Sequence, residues 1–256
     1  MSDALIVDRV GAVARLRLNR PAVLNALNQD MADALLAACR DMVGARCVLL
    51  TGEGRSFMAG GDISLFEGDG ATARIDRLMT TFHTLIETLA ALPIPVVALA
   101  HGAVAGAGVS MALAADVVLA ADDAKFILAY SRLGANPDGG STYALPRAMG
   151  LRRALGFALL EETIPADEAL RVGLVNRLVP AADAQAEALK IAERLAAGPT
   201  AAYGRTKALL RASLDRDLAG QLDAERANFI GGTFGGDFAE GVAAFLGKRR
   251  PVFRGE

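Results

Sequence analysis

The segment that most constrains the fold runs from residue 95 to residue 121 and reads PVVALAHGAVAGAGVSMALAADVVLAA. It is long enough for a membrane-spanning helix, and its only charged or titratable side chains are those of His101 and Asp116. Alanine and glycine are weakly apolar, however, and glycines interrupt the run between two strand-like ends. We therefore predict a buried strand, a helix of small residues and a second strand, and no membrane span.

The same alternation of strand, loop and helix recurs along the chain. A hairpin is predicted through Val10 and Gly11, and Asn28 is the predicted N-cap of the first helix. Short buried strands are predicted at RCVLLTG, PVVALAHG, DVVLAA and AKFILA, and helices at 71–92 and 139–160. Repeats of this kind favour an α/β fold of stacked β/α units over a β-sandwich. After residue 180 the chain is predicted to be helical, with breaks near AAGPT and IGGTFGG.

Charge and cysteine content argue against several functional classes. The 27 basic and 29 acidic residues nearly cancel and form no long run of one sign, so a nucleic-acid partner is not expected. Cys39 and Cys47 lack CxxC spacing, which argues against a metal cluster or a disulfide framework. The N-terminus does not read as a signal peptide. We expect a cytoplasmic protein that binds neither membranes nor metal.

Six segments in a fixed order resemble the crotonase, or enoyl-CoA hydratase and isomerase, superfamily. They are LNRPAVLNAL, TGEGRSFMAGGDISLF, ALAHGAVAGAGVSMALAADVVLA, LGANPDGGSTYALPR, ADEALRVGLVNRLVP and GVAAFLGKRRPVF. The resemblance implies a β/α spiral core of stacked ββα units at 1–196 and a C-terminal all-helical trimerisation region at 197–256, assembled as a trimer or a dimer of trimers. It also implies an acyl-CoA substrate and no separate cofactor, because coenzyme A is part of the substrate.

The resemblance further implies that two backbone amides stabilise the enolate oxygen of the thioester. One amide is at Gly61, after Ala59 and Gly60, and the other is at Ala107, where the small-residue helix begins. One such donor typically lowers a reaction barrier by about 3–4 kcal/mol. Relatives usually have glycine at the position of Ala107, so a positive φ there would strain the alanine. Alone, such glycine-rich turns are common connections between strands and helices.

Other positions of the family pattern are expected to contact the thioester or coenzyme A. They are Val23 and Leu24 for the pantetheine, Gly61, Asp62, Ile63 and Ser64 for the thioester and adenine, and Phe245 and Lys248 for phosphates held by a neighbouring subunit. A loop-bracing or N-capping role is the alternative for Asp62. For Lys248 the alternative is a solvated basic helix end.

The positions of the acidic residues distinguish hydratase activity from isomerase activity in this family. Adding water across a double bond is best served by two carboxylates. In the family's hydratases these are glutamates, at positions that correspond to Ser110 and Tyr130. Both carboxylates are therefore missing here. Ser110 and Tyr130 are expected to line the pocket or to donate hydrogen bonds to the substrate.

Asp138 is the acid that this chain has instead, in the turn that reads NPDGGS. A branch of the family that resembles Δ3,Δ2-enoyl-CoA isomerases has its base there. Moving a double bond from position 3 to position 2 needs one acid that takes a proton from C2 and returns it to C4. We therefore predict an isomerase in which Asp138 is the base and Gly61 and Ala107 hold the enolate. The competing role for Asp138 is an N-cap of the following helix.

Two other functions remain open from the sequence, together with four residues that have no assigned chemistry. One alternative is a hydratase that adds water to a 2-enoyl-CoA; the other is a non-catalytic, RNA-associated member of the superfamily, against which the pI of about 5.8 argues. His83 and His101 are expected to be structural, without a partner acid. Glu161 and Glu162 are expected to be solvated at a helix end.

Overall fold

A computed structural model describes residues 3–256. Within this range the elements follow in the order β1 (Leu5–Val10), β2 (Val13–Leu18), α1 (Gln29–Arg40), β3 (Cys47–Gly52), α2 (Ala71–Ala91), β4 (Val96–Ala100), β5 (Ala103–Ala105), α3 (Ala107–Ala114), β6 (Val117–Ala121), β7 (Lys125–Ile127), α4 (Ser141–Met149), α5 (Leu151–Leu159), β8 (Ile164–Pro165), α6 (Ala166–Arg171), β9 (Arg177–Val179), α7 (Ala184–Ala196), α8 (Thr200–Ala212), α9 (Leu218–Gly232) and α10 (Gly236–Leu246).

Two sheets form the core layers. The main sheet has the strand order β1-β2-β3-β4-β6-β9, in which β1 and β2 are antiparallel and the other pairs are parallel. The smaller sheet has the order β5-β7-β8. Twice the chain passes from a main-sheet strand to a small-sheet strand and then to a helix, first through β4, β5 and α3 and then through β6, β7 and α4. This arrangement confirms the predicted α/β fold of stacked ββα units.

Local sequence signals account for most of these elements. The hairpin turns at Gly11, whose φ is +56°, and the Asn28 side chain caps α1 by accepting a hydrogen bond from the Met31 amide at 3.0 Å. Helix α2 ends shortly before Pro93. The segment from residue 95 to residue 121 forms strands and a short helix, as predicted. Within residues 3–256 no helix is long and apolar enough to cross a membrane.

The central strands β3, β4 and β6 of the main sheet are covered on both faces, which explains their mostly apolar sequences. Side chains of β3 alternate between two hydrophobic clusters, because successive residues of a strand point to opposite faces. Cys47 and Leu49 pack in the cluster that contains the buried face of α7, whereas Val48 and Leu50 pack in the cluster that contains α1, α2 and α3. The larger of these clusters extends to the site described below.

Helix α3 consists of small residues because other elements surround it. All of its residues except Leu113 are buried. A Cβ added at Gly108 would lie 2.2 Å from the carbonyl oxygen of Met58, so only glycine permits this close approach. The N-terminus of α3 is thereby held against the loop that contains Gly60 and Gly61.

Asp116, the one acid of the segment from 95 to 121, attaches the C-terminal helices to the main sheet. Its carboxylate accepts hydrogen bonds from Lys207 Nζ at 2.6 Å and from Arg211 Nη2 at 2.9 Å, both on α8, and from the amide of Val96. Desolvation lowers the pKa of the Lys207 ammonium, although the ion pair opposes that shift. The charge in this otherwise apolar segment is therefore structural.

Helices α8, α9 and α10 expose an unusually apolar surface. Phe229, Phe234, Phe245 and Leu246 are all more than half exposed. Together these helices line a groove of about 850 Å³. The division at residue 197 and the packing of this region on another subunit stay predictions.

Candidate active site

One cavity of about 510 Å³ brings together the three residues predicted to be catalytic, Gly61, Ala107 and Asp138. Its remaining walls are largely apolar. They include Leu27, Ile63, Phe66, Ile75, Met79, Leu128, Tyr130 and Leu133. The larger groove between the C-terminal helices contains none of the three. Apolar walls strengthen electrostatic interactions inside them, so an acid and two backbone amide donors that meet in this cavity make it the candidate reaction centre.

The amide of Gly61 is free to bind a ligand. Leu27 forms a parallel bridge to Gly61, in which Leu27 donates to Gly60 and accepts from Asp62, both at 2.8 Å. Gly61 itself therefore directs its N–H away from Leu27. No acceptor within residues 3–256 bonds to that N–H. The preceding Gly60 has a φ of +102°, which favours glycine at that position.

The amide of Ala107 is the second free donor. Ala107 is the first residue of α3, where amides have no acceptor within the helix and the helix dipole adds partial positive charge. Its φ is not positive, so alanine is unstrained here. The unusual conformation belongs instead to Gly106, with φ +50° and ψ −117°. The alanine therefore leaves this donor intact.

The loops that carry the two donors are bonded to each other. Met58 donates from its amide to Ala103 at 3.3 Å, and its carbonyl accepts from Ala105 at 2.9 Å. These bonds join the chain just before Gly61 to the strand just before Ala107. The two amides are therefore held in a fixed relation before any ligand binds, which is the condition for stabilising a developing oxyanion.

The carboxylate of Asp138 does not cap a helix. Helix α4 begins at Ser141 with Gly140 as its N-cap and without a capping side chain. Asp138 Oδ1 instead accepts a hydrogen bond from the Tyr130 hydroxyl, and Oδ2 lies 3.9 Å from His83 Nε2. The side chain is 18% exposed. The N-cap alternative for Asp138 is therefore wrong.

Two serine hydroxyl groups stabilise the turn at Asp138 by bonding to its main-chain carbonyl. Ser110 Oγ donates to the Asp138 carbonyl at 2.8 Å, and Ser141 Oγ donates to the same oxygen at 3.0 Å. Ser110 is buried and is absent from the cavity wall, so its predicted role in lining the pocket is corrected to a support of this turn. The next residue of the turn, Gly139, packs closely against α2, because a Cβ at that position would lie 2.3 Å from the Phe82 ring.

Tyr130 lines the cavity, as predicted, and it also orients the acid. Desolvation, with a further contribution from the Asp138 charge, raises the pKa of Tyr130 well above its usual range, so the hydroxyl stays protonated and donates. This bond occupies Asp138 Oδ1. Oδ2 is buried and has no hydrogen-bond partner within residues 3–256. Because buried polar atoms are nearly always paired, this unpaired carboxylate oxygen beside the cavity makes Asp138 the candidate reactive group.

Two residues near this site were not recognised in the sequence. His83 was expected to lack a partner acid, but it faces Asp138 and accepts a weak hydrogen bond from the Gly139 amide at 3.4 Å. A usable signal was present, because Ile75, Met79 and His83 follow at i, i+4 spacing and share one face of α2.

The second such residue is Glu161, which was expected to be solvated. Its carboxylate accepts from Ser131 Oγ at 2.5 Å and from Arg132 Nε at 3.2 Å, and its φ is +52°. Arg132 lies on the cavity rim, so Glu161 braces that rim. Its neighbour Glu162 forms an ion pair with Arg153 instead of pointing freely into solvent.

The loop after Gly61 is braced by Asp62. Its carboxylate accepts from Arg20 Nη2 at 2.8 Å and from Ser64 Oγ at 2.6 Å, and the Ser64 hydroxyl is the main cause of a lowered Asp62 pKa. It also accepts from the Ser64 amide as the N-cap of the turn that follows. These contacts confirm the bracing role for Asp62. In the same turn, Ile63 lines the cavity.

The remaining predicted contacts to coenzyme A lie outside the cavity wall. The amides of Val23 and Leu24 bond to Arg20 and Pro21, and the Leu24 carbonyl accepts from Ala59 at 3.0 Å. Any hydrogen bond between the main chain of these residues and a pantetheine must therefore use carbonyl lone pairs. Phe245 lies in the C-terminal groove and Lys248 follows α10, so neither completes the cavity of its own chain.

Comparisons with known proteins agree with this geometry. The family model described as enoyl-CoA hydratase/isomerase matches residues 8–256. A Rhodobacter capsulatus protein named "probable enoyl-CoA hydratase" is 43% identical, and the match covers 95% of each chain. The 1,2-epoxyphenylacetyl-CoA isomerase of Escherichia coli is 39% identical, again over 95% of each chain.

Solved structures show the same fold. An enoyl-CoA hydratase from Polaromonas sp. JS666 superimposes with a TM-score of 0.92 at 34% identity, covering 98% of this chain and 99% of that one. One from Bacillus anthracis does so with a TM-score of 0.93 at 31% identity, covering 99% and 100%. With a matching family model over nearly its full length, this chain belongs to the enoyl-CoA hydratase/isomerase family.

Proposed function

We propose that this acyl-CoA enzyme moves the double bond of a 3-enoyl-CoA to the 2 position, with Asp138 as the base. One observation carries the proposal: among the described residues that line the cavity, Asp138 is the only acid. The positions of the two hydratase glutamates hold Ser110 and Tyr130. A 1,3-proton shift needs a single carboxylate, whereas hydration is best served by two.

The cavity supplies each part of the proposed reaction. The thioester oxygen accepts hydrogen bonds from the amides of Gly61 and Ala107, which lower the energy of the enolate. Asp138 removes a proton from C2, the electron pair of that C–H bond delocalises through the dienolate onto the thioester oxygen, and the neutral acid then protonates C4. The double bond between C3 and C4 thus becomes one between C2 and C3. Coenzyme A enters and leaves with the substrate, and no other cofactor takes part.

The names of the relatives do not favour one reaction alone. The Escherichia coli relative is named an isomerase and the Rhodobacter capsulatus relative a hydratase. The name of that isomerase specifies 1,2-epoxyphenylacetyl-CoA, which is not a simple 3-enoyl-CoA. The choice between the two reactions therefore depends on the acids of this chain, and it requires a direct assay.

The assay compares two substrates of medium chain length with the wild-type protein, following the absorbance of the conjugated thioester. We expect 3-enoyl-CoA to gain this absorbance on conversion to 2-enoyl-CoA. We expect 2-enoyl-CoA to keep it, because no second carboxylate among the described residues lines the cavity to activate water. Faster loss of absorbance from 2-enoyl-CoA than gain from 3-enoyl-CoA identifies a hydratase. Turnover of neither substrate, together with salt-sensitive retention on RNA, identifies a non-catalytic member.

We further propose that the protein is a cytoplasmic trimer or dimer of trimers, assembled through α8, α9 and α10. The exposed phenylalanines of this region support the proposal, because large exposed apolar patches mark interaction surfaces. In such an assembly Phe245 and Lys248 are placed to reach the coenzyme A of a neighbour. We expect a mass in solution of three or six times the 26.5 kDa chain, and Phe229→Asp to lower it. A monomer at micromolar concentration contradicts the proposal.

A further inference from the structure

Asp138 lies between the cavity and an exposed imidazole. On one side it lines the cavity together with Tyr130. On the other side its Oδ2 lies 3.9 Å from Nε2 of His83. The His83 side chain is 53% exposed and does not contribute to the cavity wall. A proton on Asp138 therefore has an ionisable neighbour that contacts solvent without entering the substrate site.

The orientation of His83 suits proton transfer. Its Nε2 accepts from the Gly139 amide, which assigns the ring proton of the neutral form to Nδ1. The lone pair of Nε2 is thus directed at the turn that carries Asp138. The distance of 3.9 Å exceeds a hydrogen bond, and a shift of about 1 Å brings Nε2 within range.

Other polar groups near Asp138 are already engaged in different bonds. The Tyr130 hydroxyl is bonded to Oδ1. The hydroxyls of Ser110 and Ser141 donate to the main-chain carbonyl of Asp138 and do not bond to its carboxylate. Oδ2 has no hydrogen-bond partner within residues 3–256. Among the described groups, His83 is the one placed to exchange a proton with this oxygen, once its Nε2 releases the weak bond from the Gly139 amide.

We propose that His83 is a proton relay that exchanges the proton held by Asp138 with solvent during the reaction. This inference rests on the proposed function. After Asp138 has taken the C2 proton, Oδ2–H passes it to Nε2, which leaves an aspartate and an imidazolium. The imidazolium releases its Nδ1 proton to water. The reverse sequence returns a solvent proton to Asp138 for delivery to C4, so protons and charge balance.

The relay predicts where the hydrogen at C4 of the product originates. An isolated buried acid returns the proton that it removed, and C4 then carries substrate hydrogen. An acid in exchange with solvent delivers a solvent hydrogen instead. Isomerisation of unlabelled 3-enoyl-CoA in D2O separates these cases, because the product contains between zero and one deuteron at C4.

We expect wild-type product at low conversion to contain close to one deuteron, measured by mass spectrometry and NMR. In His83→Gln the content falls about fivefold or more, because glutamine can still accept from the Gly139 amide but cannot carry a proton. Glu87→Gln is the matched control, since Glu87 is exposed and lies one turn beyond His83 on α2. This control is expected to give wild-type deuterium content. Equal deuterium in wild type and His83→Gln overturns the relay, as does unlabelled wild-type product.

A second substrate separates failure of the relay from failure of the isomerase proposal. Exchange of the C2 hydrogens of a saturated acyl-CoA with D2O requires Asp138 to trade protons with solvent, but it requires no double-bond shift. His83-dependent exchange without isomerisation retains the relay and rejects the proposed function. Isomerisation together with exchange that is independent of His83 retains the proposed function and rejects the relay. A wild-type protein that shows neither activity overturns both.

Discussion

We expect Asp138→Asn to lower kcat for 3-enoyl-CoA by about 10²–10⁴-fold, the usual contribution of a positioned general base. Asparagine keeps the size of the side chain and an oxygen that can accept from the Tyr130 hydroxyl, so the turn and the cavity wall are preserved. Only the ability to take a proton is lost. The measurement is the initial rate of formation of the conjugated thioester at saturating substrate, with thermal unfolding as a check on folding.

Asp76→Asn is the control for this variant. It removes one carboxylate from the exposed face of α2 next to Ile75, so it changes the net charge equally without touching the cavity. Its rate is expected to match the wild type. If Asp138→Asn is as active as Asp76→Asn, then Asp138 is not the base. In that case the unpaired Oδ2 needs another explanation.

We expect Ala107→Pro to lower kcat by about 10²–10³-fold, because it deletes one donor of the proposed oxyanion hole. The site is unusually suited to this change. Proline is favoured at the first position of a helix, which Ala107 occupies. The amide that is removed has no acceptor within residues 3–256, so no internal hydrogen bond is lost. The rate and the thermal midpoint are measured together, and we expect the rate to fall far more than the midpoint.

The companion variant is Ala107→Gly, which keeps the amide and removes only a methyl group. We expect activity close to wild type, since the φ of Ala107 shows no strain for glycine to relieve. A proline variant with wild-type kcat shows that the enolate oxygen is not bound at the start of α3. Equal losses in both variants indicate instead that packing around α3, and not the amide, determines the rate.

The main sheet and its helices could be predicted because their signals are local. The Asn28 cap, the proline after α2 and the apolar run CVLL that begins β3 each lie within or beside the element that they define. In the small sheet only β7 has such a signal, in the segment AKFILA. Strand β5 has three residues and β8 has two, and their pairing with β7 depends on contacts between distant parts of the chain.

The residues of the candidate site could likewise be predicted only in part. Gly61, Ala107 and Asp138 were found from segments in a recognisable order, and all three line one cavity. His83 was missed because its contact with Gly139 spans 56 positions, and Glu161 because its contact with Ser131 spans 30. Ser110 was wrongly predicted to line the pocket. The sequence does not show whether a hydroxyl on a buried helix points into the cavity or towards a neighbouring turn.

Every residue that lines the cavity lies between Leu27 and Asp138 in the sequence. The chain beyond Asp138 supports the rim through Glu161 and carries the exposed apolar helices, but it adds no residue to the cavity wall. A recombination crossover placed near residue 197 would therefore transmit the reaction cavity whole while exchanging the C-terminal helices. Lineages of such a scaffold can change their chemistry and their subunit contacts at separate rates, because different stretches of the gene encode them.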